Sequence, residues 1–483
     1  MTGAAACDVA VIGAGAAGLR AAAAAARAGA ATVLIDSSER AGGQYFRQPA
    51  APGRARSAVQ ASGHRLIEAA LAAGVEFRPG TSVWDATVRD PSGWDATVRD
   101  STGWDPTGLD LTAGELQLAA GGRLGSLGFR ALVVATGAYE RVAAFPGWTL
   151  SGVYTAGAVQ TLLKEHGVLA GQRVLFAGSG PLQVVVAAEL SRRGVAVAGV
   201  LEATRLLSEG ARRPWRSGSG LWRQGGRIRE GALGVARLRR ARVPVRTGWG
   251  IVRATGAGQV DGAVVARLDR QWRPIAGSAR TIRCDTIATG YSLVPAIDVL
   301  RLIGAELAHR PDLGGWVPRC GGSPRTSVPG VFAAGDCTGI GGVGMSLLEG
   351  DLAGTAAADH ALGRRRRPTA RQRAGYGRER RFQRLYGALF AARPGLTDLA
   401  GPRTVICRCE EVCRDEVDAA IAAGASTAPL VKSITRCGMG PCQGRVCLPI
   451  VEQLVTAATG RPPAPRTARA PLTPVDFAAL REW

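Results

Sequence analysis

The chain has 483 residues, too many for one hydrophobic core, so roughly two to four domains are expected. Its hydrophobic content of 46% excludes an overall disordered chain. The net charge is +22 with only two lysines, Lys164 and Lys432; arginine spread through an Ala- and Gly-rich chain is the composition of a GC-rich genome, not the clustered basic and aromatic footprint of a nucleic-acid binder.

Residues 1–6 are small and lack a basic leader. The apolar run from Val9 is broken at Arg20, too short to span a bilayer. These features predict a cytoplasmic protein with no transmembrane segment. Asp8–Ile12 reads as a strand, Ala16–Ala28 as a helix ended by Gly29, and Thr32–Ile35 as a second strand. The turn between the first strand and the helix is Gly13-Ala14-Gly15-Ala16-Ala17-Gly18. Gly13 makes the tight turn, Gly15 lets backbone approach a pyrophosphate, and Gly18 lets helix and strand pack. The helix N-terminus adds free N–H groups for phosphate. Asp36 ends the second strand, in place to bond ribose hydroxyls.

Trp84–Gly103 holds two copies of a ten-residue Trp-Asp repeat, read as a duplicated hairpin or loop. A second strand–turn–helix unit starts at Arg173, with Gly178-Ser179-Gly180-Pro181-Leu182-Gln183 and a strand Val195–Leu201 ending at Glu202. Gln183 replaces the third glycine. Its bulk would push helix from strand or tilt the nucleotide, so a working NAD(P) site and a retained fold without one both stay open. If a nucleotide binds, Gly178, Gly180 and Glu202 hold it, and Glu202 favours NAD. Repeated βαβ units predict an α/β protein with parallel sheets.

The basic stretch Gly363–Arg381 reads as a solvated connecting helix or a dock for an acidic partner. Six of the ten cysteines lie between Cys407 and Cys447, which suggests a metal site rather than a disulfide framework. There is no C-x-x-C, so a redox dithiol is excluded. Cys407-x-Cys409 and, after 32 residues, Cys442-x4-Cys447 supply the four thiolates a [2Fe–2S] cluster needs. Zinc is the alternative, for which Cys-x-Cys is uncommon. Cys437 is the alternative ligand. Cys447 opens an apolar helix, Leu448–Thr456, and the tail from Arg461 is expected to pack loosely or against a partner. The four histidines fall in no nucleophile or metal motif.

Val331-Phe332-Ala333-Ala334-Gly335-Asp336, with glycine-rich residues 339–344 before a helix at Met345–Leu362, resembles the second flavin motif of the two-dinucleotide-domain flavoproteins. Val133-Val134-Ala135-Thr136-Gly137 and Ile287-Ala288-Thr289-Gly290 resemble their paired crossing segments. The resemblance implies FAD, held by Gly13, Ala14, Gly15, Ala17, Gly18, Asp36, Ser37, Gly43, Gln44, Val83, Thr136, Gly137, Gly335 and Asp336. More narrowly, Gly42-Gly43-Gln44, residues 135–141 and 145–150, and Cys437–Arg445 resemble the large subunits of heteromeric amino-acid dehydrogenases: opine oxidases, glycine-oxidising hydrogen cyanide synthase and D-hydroxyproline dehydrogenases. Ser151 and Cys413 depart from that pattern, which usually has proline and threonine there. The cysteine module is similar to bacterioferritin-associated ferredoxin. The resemblance implies two Rossmann-like domains of the glutathione-reductase kind plus a small helical [2Fe–2S] domain. It also implies an electron-transfer role beside a smaller flavoprotein subunit that oxidises the amino acid. The expected domains are 1–148 with 284–363 for FAD, 149–283 NAD(P)-like, 364–401 connecting, 402–460 for the cluster and 461–483 as tail.

Overall fold

The computed structural model describes residues 5–51, 57–88, 113–205 and 225–481. Its first sheet is built from β1 (Ala5–Ile12), β2 (Thr32–Ile35), β3 (Glu76–Arg78), β4 (Thr81–Val88), β5 (Gly114–Ala120) and β6 (Arg123–Val134), in the order β3-β2-β1-β6-β5-β4. β1 pairs in parallel with β2 and β6, and β2 with β3, while β4, β5 and β6 form an antiparallel meander. β6 serves both parts. Arg123–Phe129 pairs with β5, and Leu132–Val134 pairs in parallel with Val331–Ala333. Val9, Ala10, Val11 and Ala131–Val134 are fully buried, as expected of parallel strands covered on both faces. The helix α1 (Ala16–Arg27) lies against the helix Val343–Ala361. Glycine makes this approach possible: a Cβ on Gly350 would sit 2.3 Å from the Ala17 carbonyl O, and one on Gly354 2.0 Å from that of Ala21.

The same plan recurs. A five-stranded parallel sheet runs Val245–Thr247, Ala196–Glu202, Arg173–Ser179, Thr286–Tyr291, Val153–Thr155, beside a three-stranded antiparallel sheet. The expected domain boundary at 284 therefore shifts, because Thr286–Tyr291 is an interior strand of this second sheet. Ala138–Glu140 and Leu293–Pro295, the two crossings between the folds, pair antiparallel with each other.

The C-terminal module holds a two-stranded pairing at Val405–Cys407 and helices Arg414–Ala422, Ala428–Thr435 and Leu448–Thr459. Its Ile406, Cys407, Cys447 and Val451 share one buried cluster with Phe145, Leu175, Ile251 and Tyr291 of the nucleotide folds. The Trp148 indole N–H donates to the Val405 carbonyl at 2.7 Å.

One expectation holds in part and one changes. The arginines Arg364–Arg367, Arg371, Arg373, Arg378 and Arg381 of the basic stretch are exposed, as expected of a solvated connection, while the helix Ala370–Phe390 that it enters, started by a Thr369–Gln372 capping box, buries Glu379, Gln383, Leu385 and Gly387. The tail returns to the first fold, where the Leu472 N–H reaches the Trp84 carbonyl at 2.7 Å and its side chain enters the core. The Trp-Asp repeat, beyond its start in β4, lies outside the described residues.

Candidate functional site

At the first turn, Gly13 has φ +102° and a Cβ there would lie 2.4 Å from the Ala135 carbonyl O. A Cβ on Gly18 would lie 1.7 Å from the Gly13 carbonyl O, so this glycine sets the helix–strand approach. Gly15 differs: a Cβ there meets only the Gly43 Cα at 4.0 Å. Gly15 also caps α1 without any side-chain cap, leaving its first N–H groups for an anion. The Asp36 carboxylate accepts from the Ala14 N–H at 2.6 Å and the Ser38 N–H at 2.7 Å, and it remains half-buried, open to a ribose. Ala17 is buried under Gly335, whose Cβ would lie 2.8 Å from the Ala17 Cβ. Gly43 lies across from Gly15, and Gln44 and Ser37 are exposed at the rim. The Thr136 hydroxyl donates to the Ala296 carbonyl at 2.5 Å, fixing the crossing at Gly137. Val83 lies in β4 with its side chain in the core beside Ile12 and Ile35, so only its backbone is left for a ligand.

At the other end, the Asp336 carboxylate accepts from the N–H groups of Gly341 and Gly342 at 3.1 and 3.2 Å, and burial raises its pKa. Behind it lies Glu349, missed from the sequence because nothing in its helix spacing marks it. It accepts from the Gly335 N–H at 2.9 Å and the Thr338 hydroxyl at 2.8 Å, and burial pushes its carboxyl up to about 7. An open glycine cradle, an accessible acid at the ribose position and an uncapped helix start fit FAD.

The second turn copies the first imperfectly. Glu202 accepts from the Gly180 N–H at 2.9 Å and the Thr204 N–H at 2.8 Å, the same clamp as Asp36. Unlike Asp36 it is buried, and burial lifts it to about 7. A Cβ on Gly178 would meet the Gly290 carbonyl O at 2.0 Å, so that glycine serves strand packing. The left-handed residue is Gly180 at φ +112°, and the helix starts only at Leu182, with Pro181 as its cap. This later start houses Gln183, which is buried, with its Oε1 lacking a partner among the described residues. Over this turn lies the chain's own helix Ala370–Phe390. The Tyr386 hydroxyl would sit 3.1 Å from a Cβ on Gly180, and the Thr204 hydroxyl donates to the Leu389 carbonyl at 3.3 Å. The helix is also tied to the first fold, where Gln383 Nε2 donates to the Gly339 carbonyl at 2.8 Å.

Five cysteines converge in the module. The Sγ atoms of Cys407, Cys437 and Cys447 all lie within 4.8 Å of one another, and all three residues are buried. The Cys437 and Cys447 thiols hydrogen-bond, and the Cys409 sulfur accepts from the Cys442 N–H and pairs with its thiol. The N–H groups of Gly438 and Glu410 point at the Cys407 sulfur, a donor arrangement suited to a thiolate on a metal. A set of sulfur donors with backbone N–H support fits an iron–sulfur cluster. Cys413 stands apart at the start of the helix Arg414–Ala422.

The two βαβ folds and the cysteine module define a flavin- and iron–sulfur-dependent oxidoreductase. Residues 7–217 match the pyridine nucleotide-disulphide oxidoreductase family, and residues 405–457 match the BFD-like [2Fe-2S] binding domain. The chain is 32% identical to hydrogen cyanide synthase subunit HcnB of Pseudomonas aeruginosa over 98% of this chain and 97% of that one. It is 29% identical to an opine oxidase subunit of Agrobacterium tumefaciens over 98% and 91%. Among solved structures, L-proline dehydrogenase from P. horikoshii superposes with a TM-score of 0.67 at 19% identity, covering 98% of this chain and 79% of that one. The chain belongs to the family of HcnB and these opine oxidase subunits, and carries FAD and a [2Fe–2S] cluster. These relatives are each named as subunits of larger enzymes. Among the described residues, no helix is long and apolar enough to cross a membrane.

Proposed function

We propose that this chain is the electron-transfer large subunit of a heteromeric amino-acid or imino-acid dehydrogenase of the opine, hydroxyproline or glycine type. A smaller flavoprotein subunit oxidises the substrate. The observation that carries this reading is the second cleft, lidded by Tyr386 and Leu389, with Glu202 buried beneath. A nicotinamide dinucleotide needs its pyrophosphate over Gly180 and its ribose on Glu202. With both covered, a hydride does not enter from NAD(P)H, and electrons arrive from another subunit.

FAD, when bound, accepts electrons in pairs, and a [2Fe–2S] cluster releases them singly. Gly13–Gly18, Asp36, Gly43 and Asp336 are assigned to hold the flavin. Cys407, Cys409, Cys442 and Cys447 are assigned to the cluster. Cys437 stays beside them as a buried thiol bonded to Cys447. None of the ten cysteines is in a disulfide, which supports placement in the reducing cytoplasm.

The test is co-expression with a small flavoprotein of the amino-acid oxidase kind. The pair is expected to reduce an artificial acceptor with an amino or imino acid, and the isolated chain is expected to show little activity. Rapid bleaching of the isolated chain's flavin by NADH would overturn the proposal in favour of a self-contained reductase. A purified chain without flavin would leave only a scaffold role.

A further inference from the structure

We propose that the surface over Cys409 is a docking site for a small, acidic, one-electron carrier protein. The inference rests on the assignment of the cluster to the cysteine module.

The five sulfurs are not equally covered. Cys407, Cys437 and Cys447 are 1%, 0% and 0% exposed and face the core shared with Phe145 and Tyr291. Cys409 is exposed and Cys442 half-buried. A cluster held here has one side against the flavoprotein and one side toward solvent.

Three large apolar side chains of the module are exposed: Leu430 at 46%, Ile434 at 58% and Met439 at 43%. Leu430 and Ile434 are one turn apart on the helix Ala428–Thr435, which buries Ala428 and Val431. The next turn, closed by the Met439 N–H on the Arg436 carbonyl at 2.9 Å, carries Met439 to the cysteine. A Cβ on neighbouring Gly440 would lie 2.2 Å from the Cys409 Cβ, and Arg436 reaches the Glu410 carboxylate at 3.1 Å. The apolar trio thus leads along the chain, through Arg436, to the exposed sulfur. Large apolar side chains gathered in solvent mark an interaction site more often than chance.

The charge selects the occupant. From Ala419 to Val451 the chain holds Lys432, Arg436 and Arg445 and no acid; Arg445 is engaged by Asp298, which leaves Lys432 on the helix that carries Leu430 and Ile434. Arg408, next to Cys409, is exposed with its guanidinium 5.2 Å over the Trp148 ring. Glu410 is engaged by Arg436 and Asp418 by Arg414, Glu452 is buried against Arg466, and the module's remaining acids are Glu411, Asp415 and Glu416. A small apolar centre with a cationic rim, at the exposed edge of a redox group, is the surface of a transient electron-transfer contact. Such contacts are small, and opposite charge steers them.

The test uses the full chain with its cluster, verified by the paramagnetic resonance signal of the reduced form. Binding of an acidic b-type cytochrome is titrated by calorimetry, with basic cytochrome c as the charge control. With the cluster first reduced by dithionite and the excess removed, transfer is read as one ferric haem becoming ferrous for each reduced cluster that returns to its oxidised form, with no proton moved. The acidic cytochrome is expected to bind, and to bind more weakly as salt rises. The pair Leu430→Glu and Ile434→Glu is expected to weaken it about tenfold or more, as is Lys432→Glu, with the cluster signal unchanged. Tighter binding of cytochrome c, or affinity indifferent to these substitutions, overturns the proposal. Loss of co-purification with the small flavoprotein subunit in the same variants also overturns it, because the patch then belongs to the subunit interface. Absence of the resonance signal in the unaltered chain overturns the cluster assignment beneath it instead.

Discussion

Two glycines three residues apart at the first turn are expected to fail in different ways when replaced by alanine. In Gly18→Ala the new Cβ lands 1.7 Å from the Gly13 carbonyl O and 2.9 Å from its carbon, both backbone. Helix and strand must separate by roughly 1.5 Å to restore ordinary contact. Such overpacking costs about 3 kcal/mol or more. In a domain of this kind that lowers Tm by roughly 6–12 °C. In Gly15→Ala the Cβ meets only the Gly43 Cα at 4.0 Å, and the Gly15 φ of −77° suits alanine. Its cost to the empty protein is at most about 1 kcal/mol, from the poorer helix cap. The methyl fills the space where backbone must approach the pyrophosphate, so FAD is expected to be lost. The assay is calorimetric Tm of flavin-free protein beside FAD content per chain. Gly15→Ala should melt near the parent yet hold no flavin, and Gly18→Ala should lose both. Equal melting losses in the two variants, or full flavin in Gly15→Ala, would refute the steric reasoning.

Alanine at Cys407, Cys409, Cys442 or Cys447 is expected to remove the cluster, whereas Cys437→Ala keeps about two irons per chain; iron analysis and visible absorption decide, and iron loss in Cys437→Ala would reassign the ligands. Glu349 has its folded value at about 7 against an ordinary 4.5, so its contribution to stability is full below pH 4.5 and is lost as pH rises through 7. That shift is worth on the order of 3 kcal/mol. Glu349→Gln should therefore flatten the fall in Tm across that window, and a slope identical to the parent's would contradict it. Trp148→Phe deletes the bond to the Val405 carbonyl and weakens the stacking of Arg408, about 1–2 kcal/mol together. Earlier melting of the cysteine module, followed by loss of its visible absorption on heating, is the expected result; an unchanged melt speaks against it.

The parts of this molecule that could be read from its residues are those fixed by local sterics. Gly13 and Gly18 are glycine because backbone from β1 and β6 crowds them, and that demand is written into a six-residue motif. The crowding of six cysteines into residues 407–447 likewise marked a cluster-binding module, which matches the BFD-like [2Fe-2S] domain. What escaped depends on contacts far apart in the chain. Thr286–Tyr291 carries an apolar pattern that suits either fold, and only its pairing with Arg173–Ser179 assigns it. The arginines of residues 371–381 suggest solvent, yet Gln383, Tyr386 and Leu389 of the same helix meet Gly339, Gly180 and Thr204. Cys437 read only as an alternative ligand, and spacing alone did not show that the fold brings it to Cys407 and Cys447. Leu472 docks on Trp84 across almost the whole chain, and no periodicity could announce it.

The helix Ala370–Phe390 joins the cysteine module to the flavoprotein, and it does so by lying across the mouth of the second fold. The tether and the closed doorway are therefore the same object. A chain of this kind could not regain a nicotinamide port by changing Gln183 alone, because the seat would still be taken by Tyr386. To reopen it the helix must lift, and lifting it also frees Gln383 from Gly339 beside the flavin segment. On the function proposed above, the helix that leads to the one-electron module is also the one that covers the second cleft, so a change in one is felt by the other.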